Sequence, residues 1–255
     1  MMKKILLTVL CAALAGCTGL KKAEEAAETA SPEPVSYACR TMDYYDYMTP
    51  VPPSDAIEES YYSDALFAGD SRMGSLYLYG THDNALVEYV TSLNLLLIDT
   101  MPADNHDDQI TLYDILSTTD KSNIYLLFGI NGIRNRSFDP FAEKLQEILT
   151  MLRENNPDSD IYIILAYHPD KISGLDEPKL TEQLQDLNGH LITLAQNNYM
   201  YYLDTDNGLD DDQGTIRDEY VWDGLHFNPT GAHAFEDYIA THVVRREKYV
   251  KEICE

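Results

Sequence analysis

The segment "LFAGDSRMGSL" (66–76) runs an apolar stretch straight into Asp70, Ser71 and Arg72. Far along the chain, "WDGLHFNPTG" (222–231) places Asp223 three residues before His226, and "NIYLLFG" (123–129) is followed by Ile130, Asn131 and Gly132. These residue types fit acyl transfer. A serine hydroxyl is a weak nucleophile until a neighbouring base takes its proton. An imidazole does so near neutral pH, and a carboxylate fixes its tautomer and stabilises the imidazolium. Attack on an ester carbonyl then creates an oxyanion, for which the Ser71 N–H and the Asn131 side-chain amide are candidate donors; one such donor is worth roughly 3 kcal/mol. The plainer alternative makes Ser71 the N-cap of the next helix, since serine is a preferred cap, and the other residues parts of surface turns.

Such residues act together only if the fold gathers them. The runs "ALFAGD" (65–70), "NIYLLFG" (123–129), "DIYIILAY" (160–167) and "MYYLDT" (200–205) are near-continuous apolar, β-rich segments. That pattern belongs to strands of a sheet covered on both faces. Between them lie helical patterns. One begins at Asp139-Pro140, with an apolar face of Phe141, Leu145, Ile148, Leu149 and Leu152 ending at Asn155-Asn156-Pro157; another spans about 177 to 197. The last starts at Asn228-Pro229 and buries Ala232, Phe235, Ile239 and Val243. Strands alternating with helices predict βα units and a parallel sheet, and in such sheets ligands sit beyond the carboxyl ends of the strands. Ser71, Asn131 and the Asp223/His226 pair all fall at that edge. A fifth strand has two candidates, "LVEYVT" (86–91) and "LNLLLID" (93–99), of which the second has the stronger apolar run.

"FAGDS" after the first of these strands, "GIN" after a later one and "DGLH" just before the terminal helix resemble the SGNH/GDSL hydrolase superfamily over about residues 61 to 243. The resemblance implies a three-layer α/β/α flavodoxin-like fold with a mostly parallel five-stranded sheet. It implies Ser71 as nucleophile, His226 as base, Asp223 as its partner, Asn131 as an oxyanion donor, and ester hydrolysis with no metal or cofactor. The chain departs from the family pattern in three places. Arg72 stands where leucine is usual, Gly132 stands where Asp is usual, and no glycine occurs between Gly80 and Gly129 to complete the oxyanion hole. Ser92 in "YVTSLN" is the replacement that the resemblance offers if 86–91 is the strand before it, with Asn94 the alternative. A backbone N–H survives the change from glycine, but serine tolerates fewer backbone conformations.

The N-terminus reads as a processing signal. Lys3 and Lys4 precede "ILLTVLCAALAG", too short to span a bilayer, and Leu14-Ala15-Gly16-Cys17 resembles a bacterial lipobox. The expectation is a signal peptide over 1–16, lipid on Cys17, a flexible Pro-rich stalk over 17–60, and the hydrolase domain over 61–255. Loss of Lys3 and Lys4 with the signal takes the formal charge from −25 to −27. So acidic a body disfavours nucleic acid and leaves neutral or cationic substrates, with membrane contact only through the lipid. Cys39 and Cys254 remain as a disulfide candidate, since an extracytoplasmic pair can oxidise and chain ends often lie close. The acidic "DTDNGLDDDQG" (204–214) fails as an EF-hand, because Leu203 falls at the first ligand position; it reads as a solvated loop near the substrate entrance, with a looser calcium site the alternative. His168, in "LAYHPD" after a strand, would face the same edge and could line the pocket, with ordinary loop placement the favoured reading.

These features predict a membrane-anchored, extracytoplasmic serine esterase acting on acyl esters, O-acetyl esters of carbohydrate above all, with the 19 tyrosines available to stack on sugar. The alternatives are an O-acyltransferase with the same triad, which passes the acyl group to a surface polymer, and a non-catalytic binding lipoprotein on a decayed scaffold.

Overall fold

The structure, a computed structural model, describes residues 39–43 and 45–254. The signal segment, Cys17 and the side chains of Cys39 and Cys254 lie outside the described residues. Residues Thr41–Ile253 form one unit.

Strands β1 (Cys39–Asp43), β2 (Ala65–Gly69), β3 (Leu86–Tyr89), β4 (Asn123–Leu127), β5 (Asp160–Ile164), β6 (Tyr201–Leu203) and β7 (Val250–Cys254) make two sheets. β1 and β7 pair with each other, and the rest form a five-stranded sheet in the order β3-β2-β4-β5-β6. Every pairing in that sheet is parallel. The helices are α1 (Ser71–Tyr79), α2 (Leu112–Thr118), α3 (Asp139–Asn155), α4 (Glu177–Asn197), the short α5 (Asp206–Leu209) and α6 (Pro229–Ala240). Among the described residues, no helix is long and apolar enough to cross a membrane.

Strand residues alternate between two faces, and each face has its own core. Leu66, Ala68, Ile124, Leu126, Ile161 and Ile163 pack against the apolar sides of α2, α3 and α4. On the other face Phe67, Tyr125, Tyr162 and Tyr201 pack with Met73 and Leu76 of α1 and Phe235 and Ile239 of α6. The four aromatic rings form a row across the strands, with centroids 4.7, 4.5 and 5.0 Å apart. The tyrosine content therefore has a structural use. Tyr62, Tyr125, Tyr162, Tyr167, Tyr201 and Tyr202 are buried in the cores rather than offered to sugar.

The fifth strand is β3, within 86–91. "LNLLLID" is a turn: Leu93, Leu95 and Ile98 are buried, while Leu96 and Leu97 face solvent. Its apolar character comes from a loop packed on the core, and β3 reads weakly because it is an edge strand with an exposed Leu86. Phe138 caps α3, with Asp139 its first residue and Pro140 in its first turn. Val243 is buried but lies past the end of α6.

The expected stalk is corrected at its C-terminal end. Val51 is buried and its N–H donates to the Tyr202 carbonyl (3.0 Å), and the Tyr202 hydroxyl donates to the Met48 carbonyl (3.1 Å), so the segment from Met48 to Val51 lies along the edge strand β6. The N–H groups of Ser54 and Ile57 donate to the carbonyls of Thr241 and Ala240 at 2.7 and 2.9 Å. A Pro-rich segment builds no core of its own, but here it docks on a finished surface and hides an open sheet edge.

Candidate active site

Ser71 is the first residue of α1, not its cap. Asp70 holds the cap position and accepts the Arg72 N–H. The turn is tight because Gly69 lies against β4: a Cβ there would stand 2.7 Å from the Leu127 carbonyl oxygen. The first N–H groups of a helix have no partner within it, and its N-terminus is positively polarised, so Ser71 sits where negative charge is favoured.

The strand order does the gathering. β2 lies between β3 and β4, with Gly69 in register with Tyr89 and Leu127. The turns after these strands carry Ser71, Ser92 and Asn131. Ser92 has φ +58°, a left-handed conformation in which glycine is the usual occupant. The Thr91 N–H before it donates to Asp104 Oδ2 (2.7 Å), and the Asp104 N–H donates to the Tyr89 carbonyl (2.9 Å). Thus Asp104 braces the turn, while the Ser92 N–H has no partner among the described residues. Asn131 is exposed in the turn after β4, and its side chain likewise makes no hydrogen bond among the described residues. The alternative, Asn94, is the N-cap of the short turn Leu95–Leu97, its Oδ1 accepting the Leu96 N–H at 3.2 Å.

The loop before α6 supplies the other half. Ser71 Oγ is 2.9 Å from His226 Nε2, and His226 Nδ1 is 2.8 Å from Asp223 Oδ2. Asp223 Oδ1 accepts the backbone N–H groups of His226 (2.9 Å) and Leu225 (3.1 Å). A carboxylate can only accept, so Asp223 places the imidazole proton on Nδ1 and leaves Nε2 to receive the proton of Ser71. Burial is the largest single influence on Asp223 and opposes ionisation. The hydrogen bonds from His226 and Leu225 together outweigh it, and the carboxyl lies below its usual range.

Arg72 does not face the site. Fully buried, it forms a two-pronged ion pair with Asp70, Nε to Oδ1 at 2.9 Å and Nη2 to Oδ2 at 2.8 Å. Its guanidinium lies 5.4 Å from the centre of the Tyr167 ring, and the Tyr167 hydroxyl donates to the Leu225 carbonyl. The start of α1 and the Asp223–His226 loop are thereby joined through one buried column, Asp70–Arg72–Tyr167–Leu225. Neither Asp104 nor this column is visible in the motifs, because each works through its direction in space.

His168 takes the ordinary loop placement, and the acidic loop differs from expectation. His168 Nε2 lies 3.1 Å from Thr181 Oγ1 and 3.3 Å from Glu177 Oε1, in a cavity above α4 and apart from the triad. Gln213 and Gly214 of the acidic loop line that same cavity, so the loop does not border the cavity at Asn131 and Asp223. Asp211 Oδ1 closes the loop by accepting the N–H groups of Gln213 (2.8 Å) and Thr215 (3.2 Å). Among the described residues no group of His, Cys, Asp and Glu is arranged to hold a metal ion.

Comparison with known proteins gives the family. The profile of the GDSL-like lipase/acylhydrolase family matches residues 90–234, a span that holds Ser92, Asn131, Asp223 and His226 and begins after Ser71. No curated protein matches the chain. Solved structures share its fold at low identity. One described as a platelet activating factor from Streptococcus pneumonia has TM-score 0.55 and 19% identity over 71% of this chain and 88% of its own. A GDSL-like lipase from Bacteroides thetaiotaomicron gives 0.53 and 13% over 69% and 84%. An acylhydrolase from Bacteroides fragilis gives 0.52 and 15% over 74% and 88%. The chain belongs to the GDSL-like lipase/acylhydrolase family and is an ester-hydrolysing enzyme.

Proposed function

We propose that the protein is a membrane-anchored, extracytoplasmic serine esterase that removes short acyl groups, O-acetyl in particular, from carbohydrate. The observation that carries the catalytic part is the unbroken relay from Ser71 Oγ to His226 Nε2 (2.9 Å) and from His226 Nδ1 to Asp223 (2.8 Å). The Ser71 oxygen attacks the ester carbonyl carbon as its proton passes to His226. The resulting oxyanion accepts from the N–H groups of Ser71 and Ser92 and from the Asn131 amide. Collapse breaks the bond to the alcohol oxygen, which leaves with the proton from His226, and Ser71 holds the acyl group. Water then gives a proton to His226 and attacks the acyl-enzyme; the acid departs and the serine regains its proton. No step calls on a metal.

The left-handed backbone of Ser92 supports an intact oxyanion hole over a decayed scaffold, since serine adopts the conformation the missing glycine would have supplied. A cavity of about 500 Å³ bounded by Asn131 and Asp223, beside the triad and not lined by Ser71 or His226, supports a sugar-sized alcohol portion. The sequence Leu14-Ala15-Gly16-Cys17 supports the anchor.

A fluorophosphonate should label wild-type protein and leave Ser71→Ala unlabelled, with hydrolysis of a short-chain nitrophenyl ester lost in parallel. Labelling that persists in Ser71→Ala would place the nucleophile elsewhere. Cys17→Ser should move the protein from the membrane fraction to the soluble one, and an unchanged distribution would refute lipid anchoring.

A further inference from the structure

The cavity at Asn131 and Asp223 has apolar walls, including Ile130, Ile133 and Leu225, and two cations on its rim, Arg134 and Lys171. Arg134 follows Asn131 by three residues in the turn after β4, and Lys171 lies in the loop after β5, so both stand at the carboxyl edge of the sheet. Arg134 Nη2 donates to the carbonyl of Ser173, which also lines the cavity and lies two residues after Lys171. Lys171 Nζ has Asp170 3.6 Å away. Arg134 has no carboxylate within ion-pair distance among the described residues. The carboxylate that does line the cavity, Asp223, is engaged with His226 and Leu225.

A chain with 43 acidic and 18 basic side chains repels anions over most of its surface. Two cations at the mouth of this cavity run against that trend, and they sit beside a proposed oxyanion donor. A guanidinium with free N–H groups matches a planar or tetrahedral oxyanion in a way that a neutral hydroxyl does not. We propose that the ester taken at this site carries an anionic group on its alcohol portion, a carboxylate or a phosphate, received by Arg134 with Lys171 as the second cation. This inference rests on the reading of Ser71 as nucleophile, and it makes an acidic saccharide the substrate class. The apolar walls take the carbon skeleton of the alcohol portion.

The test is a ratio. Acetylated methyl glucuronide and an acetylated glucose phosphate are each compared with acetylated methyl glucoside in kcat/KM. Wild type should favour at least one charged ester by about 10- to 100-fold, the scale of one charge-assisted pair. Which charged ester wins identifies the anion. In Arg134→Gln the ratio should fall toward one, mostly through KM, and Arg134→Lys should stand between; Lys171→Gln should lower it less. A wild-type ratio at or below one for both charged esters overturns the inference, as does a preference that Arg134→Gln leaves intact. Ser71→Ala separates the two readings. Retained hydrolysis there refutes the nucleophile, whereas a dead Ser71→Ala beside a wild-type ratio of one refutes only the anion.

Discussion

The two ends of the central sheet are made by the same strands, yet they treat their polar groups in opposite ways. At the amino end the groups answer one another. The Ser122 N–H donates to Asp64 Oδ1 (3.1 Å), Lys121 Nζ to the Ser63 carbonyl (2.8 Å), and the Asp160 N–H to the Ser122 carbonyl (2.7 Å). Arg246 stands 3.6 Å from Asp160. At the carboxyl end the Ser92 N–H and the Asn131 amide stay uncommitted beside a serine already in contact with a base. Ser92 and Asn131 are both exposed, so water meets these donors until a substrate oxygen replaces it. The aspartates repeat the contrast. Asp223, held by hydrogen bonds, is pushed down, whereas burial pushes Asp160 up to about 6 against the pull of Arg246.

The contrast breaks most completely at the relay. Ser71→Ala or His226→Ala should each lower kcat by at least about 10³-fold, and the double variant should lose little more, because the two act as a unit. Single-turnover rates with a nitrophenyl ester measure this; additive losses would show that the serine and histidine work independently.

The column behind the site comes next. Arg72→Leu leaves the Asp70 carboxylate buried and alone, and should destabilise the protein by about 3–5 kcal/mol in denaturant unfolding. Adding Asp70→Asn should recover part of that loss. A cost below about 1 kcal/mol for Arg72→Leu would mean that the ion pair is not what holds the turn.

Asn131→Ala removes one proposed oxyanion donor and should lower kcat by about 10²-fold with little change in KM. A rise in KM at constant kcat would instead make Asn131 a ground-state contact.

How much of this contrast was legible in the sequence depends on what each residue does. Four strands stood out because both of their faces are buried, so Ile124, Leu126, Ile161 and Ile163 alternate with aromatic neighbours in unbroken apolar runs. The fifth strand was hidden by its place at the edge, and only the resemblance pointed to it. The contact of Ser71, His226 and Asp223 was legible because acyl transfer needs those residue types together, whereas Asn131 was placed at the same sheet edge by its position after β4. Arg72 was not legible: the second position of a helix can face inward or outward, and only the packing of Tyr167 decides. The docking of residues 45–60 was equally hidden, since Val51 is apolar on behalf of a surface formed by distant β6. Tyrosine content misled for a related reason, because composition does not separate a ring stacked in a core from one offered to a ligand.

Asp160 tests the amino end. Its folded-state pKa lies above that of the unfolded chain, so between about pH 4 and 6 the native state holds a proton that the unfolded state has released. Stability from this group is therefore full below that window and lost as pH rises through it. Asp160→Asn should flatten the pH dependence and raise stability at neutral pH by roughly 2 kcal/mol. A wild-type curve that rises from pH 4 to 6 with no contribution from Asp160 would contradict the assignment.

The smallest effect is expected at Ser92, where strain and function meet in one residue. A serine at φ +58° is held against its preference, and glycine is not. Ser92→Gly should therefore raise stability by about 1 kcal/mol. It should also keep hydrolysis within a few-fold of wild type, because the backbone N–H proposed as the oxyanion donor is retained. Ser92→Pro removes that N–H and cannot adopt the angle, so it should lose both stability and kcat. If Ser92→Gly instead lowers kcat by about 10²-fold at unchanged stability, then the hydroxyl rather than the N–H is the group that matters, and the uncommitted donors at the carboxyl end number one fewer.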